Sequence, residues 1–151
     1  MVSPLLEATI DTTARPAKVW SVVSDLPRMN QWSPQTRKTF VLGGEIREGS
    51  LAFNINQRGI LFWPTRAKVV EFEPNKKIAF RILDNNSVWS YTLEPQGEGT
   101  RIVERREAPR GTYKISQFLI KTFLGGNDTF EQELIDGMNQ TLERIKAEVE
   151  Q

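Results

Sequence analysis

The stretch that decides the fold is NDTFEQELIDGMNQTLERIKAEV, residues 127–149. Its apolar side chains recur every three or four residues, at Phe130, Leu134, Met138, Leu142, Ile145 and Val149. Because an α-helix has about 3.6 residues per turn, this spacing places them on one stripe and predicts an amphipathic helix. Burial of such a stripe contributes on the order of 10 kcal/mol before entropy, so the helix needs a large apolar surface to pack on.

That surface is expected from upstream segments in which apolar and polar residues alternate, the pattern of a strand with one dry face. The predicted strands cover residues 6–10, 38–42, 51–56, 63–72, 78–82, 89–93 and 100–107. Two short helices are predicted between the first two strands, over 16–26 and 27–32, and a further helix over 111–126. Short Gly, Pro, Asn and Asp turns make consecutive strands antiparallel. The order predicts an α+β helix-grip fold with seven antiparallel strands.

Length and charge narrow the function. A chain of 151 residues is expected to form one domain over 1–151, large enough for a core and a cavity. Its 20 Lys and Arg balance 19 Asp and Glu, so bulk charge attracts neither nucleic acid nor an acidic membrane. No basic leader and no run of eighteen apolar residues is present, so we expect no integral membrane segment and a cytoplasmic location.

Two missing residue types exclude whole classes of chemistry. The chain has no cysteine and no histidine, which removes disulfides, thiolate nucleophiles, histidine general bases and imidazole-ligated metals. We therefore expect no metal and no cofactor.

Six short motifs resemble one superfamily in their order and spacing. They are ATID at 8–11, PAKVWSVVSDL at 16–26, Trp32, VEFEP at 70–74, WSYTLEP at 89–95 and GTRIV at 99–103. Together they are similar to the SRPBCC, or START-like, superfamily, and more narrowly to its bacterial polyketide cyclase/dehydrase-like branch. The resemblance implies a curved sheet wrapped around the C-terminal helix with a deep cavity between them. It implies no single activity, because members include lipid carriers, hormone receptors, polyketide cyclases and oxygenase subunits.

The resemblance also suggests which apolar residues line such a cavity. The expected set is Phe53, Phe80, Ile82, Trp89, Tyr91 and Ile102 from the sheet, and Phe130, Leu134 and Met138 from the helix. Trp63 and Phe118 are expected at the cavity mouth. The alternative is that these side chains fill the interior as an ordinary core.

Glu104 is the expected pocket carboxylate if the face of the last strand that carries Ile102 points inward, a choice the sequence leaves open. Arg106 could then hold it ionised, or the two could form a weak ion pair at the rim. The Tyr91 hydroxyl could position a polar ligand group or bond to the backbone. Glu131, three residues after Asp128, indicates a helix cap rather than catalysis.

Two further features each allow two interpretations. Gly137 lies inside the predicted helix, where it either permits close packing or leaves room for a ligand beside Met138. The apolar run from Ile60 to Trp63 is either an exposed tip near the cavity mouth or a bulged strand buried on both faces.

The sequence therefore supports three functions. The first is binding of a hydrophobic small molecule such as a lipid, isoprenoid or polyketide, by a monomer or homodimer. The second is a cyclase or dehydratase that shapes its substrate, with Glu104 and Tyr91 transferring protons. The third is a module whose tip at 60–63 contacts a protein or membrane. No nucleic-acid partner is expected.

Overall fold

The structure is a computed structural model that describes residues 5–108 and 127–151, and only the backbone of 127–130. Within these ranges, seven strands form one antiparallel sheet in the order β1-β7-β6-β5-β4-β3-β2. The strands are β1 (Leu5–Thr12), β2 (Thr36–Val41), β3 (Leu51–Arg58), β4 (Leu61–Glu73), β5 (Lys77–Ile82), β6 (Val88–Gln96) and β7 (Gly99–Glu107). Helix α1 (Pro16–Val23) and a 3-10 helix (Leu26–Gln31) follow β1, and α2 (Asn127–Val149) ends the chain. The predicted α+β helix-grip fold is confirmed.

The helix predicted over 111–126 lies outside the described residues, and so does Phe118. In the described part of the chain, no helix is both long and apolar enough to cross a membrane.

The first strand of the chain pairs with the last. Strand β1 runs antiparallel to β7 from Leu5 opposite Glu107 to Thr12 opposite Thr100. At this end a Cβ on Gly99 would lie 2.1 Å from the Thr12 carbonyl oxygen, so only glycine fits there. The Thr100 hydroxyl donates to the Ala14 carbonyl at 2.8 Å, which ties the start of β7 to the turn before α1.

Helix α2 packs tightly on the sheet along its C-terminal half. Met138, Leu142, Ile145 and Val149 are exposed by 2% or less and belong to the main core with Leu6, Ala8 and the buried valines of α1. Nearer the start of the helix, Leu134 and Ile135 are only half-buried. The predicted stripe is thus a solid core in its second half, whereas its first half leaves free volume. The side chain of Phe130 lies outside the description.

Strand β3 faces the opposite way from the prediction. Phe53 and Leu51 are 40% and 41% exposed on the outer face, and Ala52 and Asn54 point inward. The expectation that Phe53 lines the cavity is therefore wrong. Asn54 is accommodated inside because its amide bonds to Thr39 and Thr65 on the neighbouring strands. Since side chains alternate between faces, fixing Asn54 inside forces Phe53 outside.

The hairpin between β3 and β4 settles the two interpretations of the apolar run. Ile60 is 93% exposed and Phe62 is 62% exposed, so a strand buried on both faces is wrong. Arg58, at the end of β3, donates from Nε to Oε2 of Glu133 in α2 at 2.6 Å and links the hairpin to the helix. Contact of this tip with a protein or membrane remains a prediction.

The core packing of α2 gives a direct test. Leu142→Ala removes a side chain that is 1% exposed and leaves a cavity, so we expect the free energy of unfolding to fall by about 3 kcal/mol. Urea unfolding followed by circular dichroism measures this change. The control Glu143→Ala, on the exposed side of the same helix, should change stability by less than about 0.5 kcal/mol. Equal effects of both variants would contradict this packing.

Candidate ligand-binding site

A cavity of about 160 Å³ lies between the first turns of α2 and the inner face of the sheet. A second cavity of about 50 Å³ adjoins it and shares Trp89, Glu104 and Leu134 as walls. An apolar protein cavity of about 150 Å³ is known to admit benzene, so the larger space suits one ring with small substituents. Its apolar walls are Met29, Trp63, Phe80, Ile82, Trp89 and Leu134.

Most of the residues predicted for the site are brought together here. Eight of them line the larger cavity: Trp63, Phe80, Ile82, Trp89, Tyr91, Glu104, Arg106 and Leu134. Met138 lines the smaller one. The expectation that Ile102 lines the cavity is wrong, because Ile102 is fully buried in the core and lines neither of the two cavities. It precedes Glu104 by two residues on β7, towards the end of the sheet where the core leaves no free volume.

The facing of β7, which the sequence left open, is decided by its partners. Ile102, Glu104 and Arg106 are buried on the inner face. Arg101 and Arg105, on the opposite face of the strand, point outward and pair with Asp11 and Glu7 of the neighbouring β1. The outward arginines thus have carboxylate partners on the neighbouring strand, and Glu104 is left inside.

Glu104 is the most unusual group in the cavity. It is 3% exposed and lies directly opposite Tyr91 on β6. Burial raises the pKa of Glu104 from 4.5 to about 8, against a smaller lowering by a hydrogen bond with Tyr91. Its Oε1 atom has no hydrogen-bond partner in the part of the chain that the structure describes. At neutral pH this carboxyl group is therefore mostly protonated and has one oxygen available to a ligand.

Tyr91 stays protonated beside it. Burial first, then the nearby Glu104 charge and the hydrogen bond with Glu104, raise the pKa of Tyr91 well above its ordinary value. The two groups form a neutral polar pair at one wall of an otherwise largely apolar space.

Arg106 has a different partner from the one predicted. Its Nη2 donates to Oε2 of Glu131 in α2 at 3.1 Å, and both side chains are buried. The expectation that Arg106 keeps Glu104 ionised is wrong, because the guanidinium pairs with Glu131 and burial dominates at Glu104. The sequence indicated only a capping role for Glu131, since a contact between residues 25 positions apart leaves no local pattern.

A cluster of polar side chains, which the sequence analysis missed, lies on the other side of the cavity. Asn54, Asn56 and Thr65 line it from β3 and β4. The Thr39 hydroxyl donates to Asn54 Oδ1 at 2.8 Å, and Asn56 Nδ2 donates to Thr65 Oγ1 at 3.0 Å. Asn54 and Asn56 alternate with Phe53 and Ile55 along the strand, so the expectation that Phe53 points inward puts both asparagines on the outer face.

Gly137 supports the packing interpretation. A Cβ at this position would lie 3.3 Å from Cγ of Pro34, so the helix backbone approaches the segment before β2 closely. Gly137 also lines the smaller cavity beside Met138. Among the described residues, no group of three or more acidic, histidine or cysteine side chains could hold a metal.

The curved sheet, the long C-terminal helix and the cavity between them define a protein of the helix-grip class. The chain belongs to the family described as "Polyketide cyclase / dehydrase and lipid transport", whose model matches residues 4–150. No curated protein matches the chain.

Solved structures give the same fold. The polyketide-cyclase-like protein Cgl2372 of Corynebacterium glutamicum is 30% identical, with a TM-score of 0.63 over 95% of this chain and 90% of that one. DR_A0006 of Deinococcus radiodurans is 17% identical, with a TM-score of 0.69 over 97% of both chains. The di-domain ARO/CYC protein StfQ of the steffimycin pathway is 14% identical, with a TM-score of 0.77 over 97% of this chain and 50% of that one. The last two similarities show the fold alone.

The raised pKa of Glu104 predicts how stability depends on pH. Between about pH 4.5 and about pH 8 the unfolded chain has lost this proton and the folded chain keeps it, so the free energy of unfolding falls as pH rises. One such proton contributes a slope of about −1.4 kcal/mol per pH unit. Urea unfolding between pH 5.5 and 7.5 should show this slope as the difference between the wild type and Glu104→Gln.

The control for that comparison is Glu107→Gln, an exposed residue on the same strand. Its pH profile should run parallel to that of the wild type. Parallel profiles for the wild type and Glu104→Gln would mean that Glu104 is not protonated in the folded protein near neutrality.

Proposed function

We propose that the protein binds a small hydrophobic or aromatic molecule in the cavity between the sheet and α2. The observation that carries this proposal is the buried Glu104 carboxyl group, whose Oε1 lacks a described partner, in the wall of a cavity lined by Trp63, Phe80 and Trp89. A buried polar atom without a partner costs about 1 to 3 kcal/mol, which a ligand can offset by bonding to it. Membership of a family described by polyketide cyclases and lipid transport supports the same class of ligand.

The two parts of the site have different tasks in this proposal. Transfer of a ring from water to the apolar walls provides the affinity, at about 25 cal/mol per Å² of buried apolar surface. Glu104 and Tyr91 provide orientation, since a few polar groups in an apolar pocket fix the pose of a ligand. Because Arg106 is matched by Glu131 and Glu104 is neutral, the site favours an uncharged molecule.

Binding is tested most directly by filling the cavity. Leu134 lines both cavities, so Leu134→Trp should occupy their space and weaken binding of a single-ring probe such as 4-ethylacetophenone at least tenfold. Isothermal titration calorimetry measures the dissociation constants, and native mass spectrometry of the purified protein detects any retained apolar ligand. The control Leu42→Trp adds the same bulk at an exposed position and should leave binding unchanged.

Two results would contradict the proposal. One is a folded wild-type protein that binds no probe across a panel of substituted rings and retains no ligand. The other is equal binding by the wild type and Leu134→Trp.

A second function, a cyclase or dehydratase, is favoured by the protonation state of Glu104. A carboxyl group that keeps its proton to about pH 8 is suited to donate it to a carbonyl or hydroxyl oxygen of a bound molecule. The cavity walls would then hold a flexible substrate in a reactive shape.

For any bound ligand that is converted, Glu104→Gln should lower turnover at least a hundredfold with little change in binding. The turnover rate of the wild type should fall as pH rises through about 8, where Glu104 loses its proton. Full turnover by a Glu104→Gln, Tyr91→Phe double variant would exclude proton transfer by these groups.

A further inference from the structure

The outer face of the sheet differs between its two edges. On β1 and β7 the outward arginines have carboxylate partners. On β2, β3 and β4 large apolar side chains are exposed instead. Among the described residues, eight large apolar side chains are exposed, and all but Leu5 lie between residues 40 and 62, including Phe40, Leu42, Leu51, Phe53, Ile60 and Phe62. Single exposed apolar residues are normal on a protein surface, whereas a concentration of this kind marks an interaction site.

These side chains are neighbours on one surface. Phe40 on β2 lies directly opposite Phe53 on β3, and Leu51 lies on the same face of β3, two residues before Phe53. Thr65 lines the cavity from the inner face, so Phe62, three residues earlier on β4, points outward. The apolar surface therefore runs along β3 and continues to the tip of the β3–β4 hairpin, over a length of up to about 30 Å.

Cations without ion-pair partners lie beside this apolar surface. Lys38, Lys68 and Arg81 are exposed, and in the described part of the chain none of the three forms an ion pair. Lys68 lies directly opposite Arg81 on β5, a placement of like charges that destabilises a sheet. No Asp or Glu occurs in β2, in β3 or in β4 as far as Lys68. The net charge of +1 for the whole chain thus conceals a local surface that attracts anions.

The basic apolar face is defined here as the outer surface of residues 38–42, 51–55 and 60–68 together with Arg81. A second copy of the chain fits this face poorly. The edge strand β2 carries Arg37 and Lys38 and has an irregular register between Thr36 and Lys38, and such features hinder pairing with another strand. Contact of two basic apolar faces around a two-fold axis would bring their unpaired cations together.

Nucleic acid also fits this face less well than lipid. Single-stranded nucleic acid binds where bases stack on aromatic rings beside cations. The most exposed apolar side chain of the face is Ile60 at the hairpin tip, and Leu42 and Leu51 are exposed at its other end. These aliphatic side chains offer no ring for a base, whereas they are as apolar as the acyl chains of a lipid.

We propose that the basic apolar face docks on a lipid bilayer that contains anionic headgroups, with the hairpin tip inserted between the lipids. Binding to a membrane surface increases with the apolar area that enters the interface and with the attraction between cations and anionic lipids, and this face supplies both. Ile60 is 93% exposed at the tip and inserts deepest. The acidic residues Glu45 and Glu48 lie in the connection before β3, at the end of this strand away from the tip. The tip therefore approaches the bilayer first.

Docking in this orientation places the cavity beside the bilayer. The hairpin whose outer side meets the lipid contributes Asn56 and Trp63 to the cavity wall from its inner side. Arg58 holds the same hairpin to Glu133 of α2, with 2.6 Å between Nε and Oε2. The inference goes beyond the proposed function, and it holds whether or not the cavity takes an apolar molecule from the lipid.

The test is sedimentation of the protein with vesicles. Vesicles of phosphatidylcholine and phosphatidylserine in a molar ratio of about 7:3 should bind it at least tenfold more tightly than vesicles of phosphatidylcholine alone. Raising the NaCl concentration from about 0.1 M to about 0.5 M should weaken this binding, because salt screens exposed charges. The double variant Ile60→Ser, Phe62→Ser should bind the anionic vesicles at least tenfold more weakly, and Lys68→Gln about fivefold more weakly.

Matched controls change the same types of residue away from the face. Leu5→Ser removes an exposed apolar side chain on β1, and Lys76→Gln removes an exposed cation in the turn between β4 and β5. Both should bind the anionic vesicles as the wild type does. All of these variants should keep the urea midpoint of the wild type, because each altered side chain is exposed.

Insertion of the tip can be measured without a weakened variant. Because the chain has no cysteine, Ile60→Cys carries a single thiol for a polarity-sensitive nitrobenzoxadiazole dye. The dye emission should shift to the blue and increase when anionic vesicles are added. The same dye on Glu98→Cys, in the exposed turn between β6 and β7, should show no change.

Several results would overturn the docking surface. Equal vesicle binding by the wild type and the double variant, or an unchanged dye at position 60, would exclude insertion of the tip. Dimerisation without vesicle binding would assign the face to a second copy, and oligonucleotide binding without vesicle binding would assign it to nucleic acid. A double variant with a much lower urea midpoint would show that the tip packs within the chain.

These results are separate from those that test the cavity. Neither Ile60 nor Phe62 lines the cavity, so calorimetry should give the same ring binding for the wild type and the double variant. A protein that binds rings but no vesicles would overturn the docking surface and leave the proposed function intact.

Discussion

The structure depends on how far the C-terminal helix fills the concave face of the sheet. From Met138 to Val149 the apolar stripe of α2 is closed against β1 and α1, and its buried side chains are exposed by 2% or less. Around Leu134 the helix stands away from the sheet and a cavity of about 160 Å³ remains. One amphipathic helix thus both provides the core and forms one wall of a cavity. Stability and binding are therefore assigned to different ends of the same element.

The chemistry of the cavity follows from the burial of its ionisable side chains. Burial of an isolated carboxylate is costly, so Glu104 takes up a proton, whereas Arg106 and Glu131 form a buried ion pair. On the opposite side, the described residues Thr39, Asn54, Asn56 and Thr65 contribute neutral amides and hydroxyls, joined across three strands by hydrogen bonds. The polar groups of this space are thus neutral or paired, and several are donors. Such a lining suits an uncharged, mainly apolar molecule with oxygen acceptors.

The sequence predicted the architecture well because the periods of the helix and strands are local properties. The stripe of α2 and the turns between strands were sufficient for the helix-grip layout. Which face of each strand points into the interior was harder to predict. A period of two separates the two faces of a strand but does not tell which one is inside. For β3 the apolar residues were placed inside, yet Phe53 is exposed and Asn54 is satisfied by Thr39 and Thr65. That choice depends on partners from β2 and β4, which no local window contains.

Individual site residues show the same limit. Trp89, Tyr91 and Glu104 were predicted from the alternation of their strands and from the cavity that the resemblance implies, and they do line the cavity. Glu131 was missed as a partner of Arg106 because the pair forms only when α2 folds over β7. Ile102 was misplaced because it lies one inward position along β7 from Glu104, where free volume ends. These outcomes depend on how closely α2 approaches β7. Burial and strand register show this distance, whereas the types of the residues do not.

The account depends most on a carboxyl group that stays protonated inside the cavity at neutral pH. The direct measurement is a carbon-13 NMR titration of the glutamate side-chain carboxyl resonances, with that of Glu104 assigned by its absence from the Glu104→Gln spectrum. The account predicts a midpoint near pH 8 for this resonance. A midpoint near 4.5, the ordinary value for a glutamate, would show that the group is ionised and hydrated and would contradict the site described above.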